Sequence, residues 1–111
     1  MVYGYYITKD LVGGGCLHYL SDFRIDIGDD LTFIDCVVSH KKNDSVIYHS
    51  FKAAQSIVFI LNHSKFADVQ YTNCHLQFEF KVHKAVSKFG HYNYICSTQI
   101  EEYADLLKQT Y

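Results

Sequence analysis

The stretch His75-Leu76-Gln77-Phe78-Glu79-Phe80-Lys81-Val82-His83 alternates strictly between polar and apolar side chains. Successive residues of a strand point to opposite faces, so Leu76, Phe78, Phe80 and Val82 share one side and His75, Gln77, Glu79, Lys81 and His83 the other. A helix would align His75, Glu79 and His83 as metal ligands, but a period of two argues against it. The segment reads as an amphipathic strand with one face on a core and one in water.

Downstream, Lys84 to His91 carries Lys84, Lys88 and Gly90 and reads as a basic connection. Tyr92 to Ser97 reads as a strand returning antiparallel. Thr98-Gln99-Ile100-Glu101 has the form of a capping box opening a last helix, whose apolar stripe is Ile100, Tyr103, Ala104, Leu107 and Tyr111. Glu101 and Glu102 in its first turn and Lys108 near its end suit the helix dipole.

Upstream, Phe51, Ala54, Ile57, Val58 and Leu61 recur at helical spacing. Ser50 is the expected N-cap and Asn62 the expected end. Residues 63–73 carry no clear period and read as a loop with a short strand around Val69–Tyr71. Earlier still, Val2–Thr8 reads as a first strand, and Gly13-Gly14-Gly15 as a loop without the spacing of a phosphate cradle. Phe23–Ile27, Leu31–Ser39 and Ser45–His49 read as a three-stranded antiparallel meander, with turns at Gly28-Asp29-Asp30 and Lys41-Lys42-Asn43-Asp44. The sum is an α+β chain forming one domain over residues 1–111: an antiparallel sheet with two helices packed on one face.

Composition bounds the function. With 111 residues, 49% of them hydrophobic, the chain has enough apolar side chains for one modest core and is too apolar for a disordered tail. Its longest aliphatic-aromatic run, Ile57-Val58-Phe59-Ile60-Leu61, is far short of the ~20 residues of a membrane span. A formal charge of -2 and a pI near 6.3 are not those of a general nucleic-acid binder. The charges are nonetheless segregated. Residues 1–35 hold Asp10, Asp22, Asp26, Asp29, Asp30 and Asp35 against Lys9 and Arg24, whereas lysines and six of the seven histidines fall in residues 36–98. This basic middle gains charge as pH falls through about 6.5.

Cys16, Cys36, Cys74 and Cys96 are widely spaced, and no secretory leader is apparent, so four reduced thiols in a cytoplasmic protein are expected. Cys36 and Cys96 lie in apolar strand patterns and read as core thiols. Cys16-x-His18, Cys74-His75 and His91…Cys96 lack zinc-site spacing, so no metal and no cofactor is expected. A single Arg and the absence of Pro and Trp point to an A/T-rich genome, such as many phages and low-G/C bacteria have, and a phage or mobile element is the expected source.

No nucleophile elbow, Walker loop, zinc-protease helix or calcium loop is present. Glu79, Lys81 and His83 are residue types that small ribonucleases use, yet alternate strand residues stand about 7 Å apart. Tyrosine is in surplus for one core, and it is enriched at interfaces. The leading expectation is therefore a non-enzymatic accessory or inhibitory factor that binds a protein partner or itself. Its expected surface is Lys81, His83, Lys84, Lys88, His91, Tyr92 and Tyr94. Single-stranded RNA or DNA on the basic 81–91 segment is the second expectation, with exposed aromatics stacking on bases. A small ribonuclease-like enzyme is the third.

Overall fold

The computed structural model describes residues 1–93 and 97–110. The elements run β1 (Gly4–Leu11), β2 (Cys16–Ile27), β3 (Thr32–Ser39), a 3-10 turn (Lys42–Asp44), β4 (Val46–Ile47), α1 (Phe51–Asn62), β5 (Asp68–Tyr71), β6 (Cys74–Ala85), β7 (His91–Tyr92) and α2 (Ser97–Thr110). The fold is α+β: one antiparallel sheet in the order β3-β2-β1-β6-β5, a two-stranded β4-β7 ladder and two helices.

The alternating stretch lies in β6, one place from the open edge of the sheet on that side. It pairs with β1 over its length, from Gly4 opposite Ala85 to Leu11 opposite Phe78, and with the short β5 only from Cys74 to Gln77. The first hairpin turns where the glycines predict. Gly13 has φ +80°, a left-handed conformation that suits a residue without Cβ, and Gly14 N–H donates to Leu11 C=O at 2.8 Å.

The expected meander is half present. β2 and β3 form an antiparallel hairpin, but Val46–Ile47 does not continue it. β4 instead pairs in parallel with β7, Val46 opposite His91 and Ile47 opposite Tyr92, and Tyr48 bridges to Tyr5. The expected antiparallel return at Tyr92 is thus corrected to a parallel one, and the rest of that expected strand (94–96) lies outside the described residues. The cause is burial. Val46, Ile47 and Tyr48 are all buried, as suits a central segment rather than a half-exposed third strand.

Ser50 caps α1 as expected, its hydroxyl accepting from Ala53 N–H at 3.1 Å. Ala53, Ala54, Ile57, Ile60 and Leu61 then face the core with Ile7, Leu20, Phe23 and Phe80. Each large side chain so buried contributes roughly 1.5–3 kcal/mol. The last helix opens at Ser97, one residue before the expected Thr98 cap, and buries Ile100 and Ala104. Cys36 is half-buried, and burial pushes its thiol pKa up to about 11. Among the described residues no helix is long and apolar enough to cross a membrane.

Candidate functional site

The expected site residues fall into separate places. Lys81 and His83 lie on the outer face of the sheet, Lys84 on the opposite face of β6, and Lys88 in the exposed connection after it. His91 and Tyr92 sit on the small ladder, where the His91 ring bonds Ser21 C=O at 3.0 Å and the Tyr92 ring stacks on His49 at 4.6 Å. Tyr94 lies outside the described residues. The six described residues therefore do not converge on one surface.

On the outer face, the β1 register brings Tyr6 opposite His83, Thr8 opposite Lys81 and Asp10 opposite Glu79. Tyr6 stacks on His83 at 5.1 Å and meets Phe89 edge-on. Lys42 Nζ lies 4.6 Å from the Phe89 ring centre. Thr8, itself buried, shares a 2.7 Å hydrogen bond with His83 Nε2. Burial lowers the His83 pKa below its ordinary value; Asp10 opposes that shift, and Lys81 and Lys42 add to it. Lys81 Nζ is 3.7 Å from Asp10 and 3.8 Å from Glu79. The partners of His83 are structural ones. Its ring packs against Tyr6 and Thr8 rather than pairing with Glu79, which weakens an acid–base assignment.

Tyr6, Thr8 and Asp10 were not legible as site residues. The apolar-side positions of β1 include Lys9, which hides the alternation by lying over the Phe78 and Phe80 rings, at 4.4 and 5.7 Å from their centres. Among the described residues no group of three or more His, Cys, Asp or Glu is placed to hold a metal ion.

The second feature is a groove of about 620 Å³ along the edge of β6 beside α1. α1 runs beside the strand from Phe51, whose ring meets Tyr5 at 5.1 Å, to Asn62, whose amide meets Phe80. Residues at helical spacing thus present one stripe to the strand: Phe51, Gln55, Val58, Phe59 and Asn62. Val82, Glu79 and Lys81 form the opposite wall, and Lys108 of α2 closes the end with its ammonium 5.2 Å from the Phe59 ring centre.

Hydrogen-bond parity makes one wall of this groove chemically active. Val12 N–H donates to Gln77 C=O at 3.0 Å, which fixes the odd-numbered residues of β6 as those bonded toward β1. The even-numbered ones point away. Phe78 N–H accordingly reaches Ala67 C=O at 2.7 Å, and Phe80 bonds Asn62 through both its N–H and its C=O. Val82 and Lys84 continue that row, and among the described residues nothing bonds their main chain. A strand edge left so is a template for another strand. No family model matches the chain, nor does any curated protein or solved structure.

Proposed function

We propose that this chain is a non-enzymatic protein-binding factor, accessory or inhibitory in role, working in a reducing cytoplasm. The observation that carries the reading is the unbonded edge of β6 at Val82 and Lys84 beside the half-apolar groove of α1. Main-chain donors and acceptors next to apolar walls suit a polypeptide better than a small polar substrate. Free thiols at Cys16, Cys36 and Cys74 fit the compartment, and the residue usage fits a phage or mobile-element gene.

The nucleic-acid reading has less support. Lys81 is engaged by two carboxylates, His83 turns inward, and His91 is tied to Ser21, so the 81–91 segment does not offer one row of free cations. The discriminating experiment is affinity capture by the full chain, with and without nuclease and at raised salt. A stoichiometric protein that survives both and rebinds after purification is the expected result. Capture that disappears with nuclease, together with affinity falling steeply with salt, would overturn the reading in favour of RNA or DNA.

A further inference from the structure

We infer that the groove between α1 and β6 takes an extended, acidic segment of the partner protein, added as an extra strand on the free edge of β6. This rests on the protein-binding reading above and specifies its chemistry.

The backbone supplies the first argument. Val82 and Lys84 each offer one N–H and one C=O in the direction that Phe80 uses for Asn62. Asn62 imitates, with a single side-chain amide, the pair of bonds a neighbouring strand would make. It also blocks the edge at Phe80, so a guest strand starts beyond it. At about 3.3 Å per residue, the two free positions serve a segment of roughly five residues.

The walls supply the second. A guest strand in register continues the sheet, so its alternate side chains fall on the face of Phe80 and Val82. There they meet Phe51, Val58 and Phe59, which are partly or largely exposed and leave room for medium-sized apolar groups. The intervening side chains share the outer face with Lys81.

Charge chooses the flanking residues. Lys81 and Lys108 line the groove, Lys52 follows Phe51 on α1, and Lys84 lies on the edge itself. Lys52 is 3.7 Å from Glu101, Lys81 3.8 Å from Glu79, and Lys108 4.0 Å from Asp105. Lys84 has no acidic partner among the described residues. Glu79 is the one carboxylate among the lining residues. Two lysines and one carboxylate line the groove, and Lys84 on its edge is, among the described residues, the cation left to complement aspartate or glutamate on the guest.

The test pans a library of random linear dodecapeptides on the full chain, then measures a labelled peptide of the enriched sequence by fluorescence polarisation. Enrichment of alternating apolar and acidic residues is expected. Val82→Pro removes one outward N–H without touching the β1 ladder, a place where sheets tolerate proline, and is expected to weaken binding at least tenfold. Gln55→Trp, which fills the groove from the exposed face of α1, is expected to do the same. N-methylation of the peptide at alternate amides is expected to abolish binding and at the intervening ones to spare it; this arm decides the matter should Val82→Pro lower the melting temperature.

Three outcomes overturn the inference. They are no enrichment, binding indifferent to both variants and to N-methylation, or a concentration-dependent dimer of the chain that Val82→Pro dissolves. If a purified protein partner is still captured in any of these cases, the protein-binding reading stands and only the groove assignment fails.

Discussion

Asn62 holds Phe80 by both of its main-chain groups: Oδ1 accepts from Phe80 N–H at 2.7 Å, and Nδ2 donates to Phe80 C=O at 3.2 Å. The last residue of α1 is thereby fastened to the middle of β6, and the helix keeps a fixed height above the strand. Asn62→Leu leaves both groups without their partner and is expected to cost roughly 1–3 kcal/mol in urea denaturation. Asn62→Asp keeps the acceptor and loses the donor, so its loss should be the smaller of the two.

His83 gives a pH dependence whose sign follows from its surroundings. Burial first, then Lys81 and Lys42, hold its folded-state pKa below the ordinary value, while the unfolded chain titrates near 6.5. Below that value the unfolded state binds the proton first, so this group's contribution to stability is complete above about pH 6.5 and fades as the pH falls toward the folded pKa. A proton-resonance titration of the His83 ring should show a midpoint below 6.5, and His83→Gln should flatten stability over the same window. A midpoint above 6.5 would contradict the account.

Asp35 protects the far edge of the sheet. Its Oδ1 accepts from the N–H of Cys36 at 2.9 Å, and it stands between the exposed side chains of Phe33 and Val37 on the outer face of β3. A charged residue in mid-edge that occupies a main-chain donor discourages pairing with another sheet. Asp35→Val should therefore produce a larger species in sedimentation velocity than the parent chain at equal concentration. Phe33→Lys added to that variant should reverse the effect.

Gly90 locks the small ladder. Its φ is +69°, and a Cβ placed on it would lie 2.1 Å from the carbonyl oxygen of Ser45, the atom that accepts from His91 N–H. Left-handed backbone alone costs an L-residue roughly 1–2 kcal/mol, and the clash adds to it. Gly90→Ala should lower the denaturation midpoint by more than the left-handed strain alone and should speed hydrogen exchange at His91.

The parts of this fold that were readable are those where local pattern and final environment agree. The alternation of Leu76, Phe78, Phe80 and Val82, the Ser50 cap and the stripe of α1 each needed only neighbours a few residues away. Val46-Ile47-Tyr48 was misread because a short apolar strand looks the same in a hairpin and in a parallel ladder; its partner, His91-Tyr92, lies more than forty positions on. The groove was hidden for a related reason. That the edge at Val82 and Lys84 is free depends on β5 stopping at Asp68 opposite Gln77 and on Asn62 reaching Phe80. Asn62 itself read only as a place where the helix ends. Of the expected surface, Lys81 lines the groove and Lys84 lies on its open edge. His83 shares the outer face of β6 with Lys81, whereas Lys88, His91 and Tyr92 are near these only in sequence, because the chain leaves β6 at Ala85.

The pairing of β1 with β6 also bears on how the chain assembles. β1 reaches its final partner only across the register that joins Gly4 to Ala85, so the chain up to Ala85 must leave the ribosome before that ladder can close. Until then the hairpin of β1 and β2 is complete on one side and bare on the other. Closing so long a loop is slow, since its entropy is lost before the pairing rewards it. The same edge that later lies in the middle of the sheet is thus an open template for stray strands until β6 has emerged.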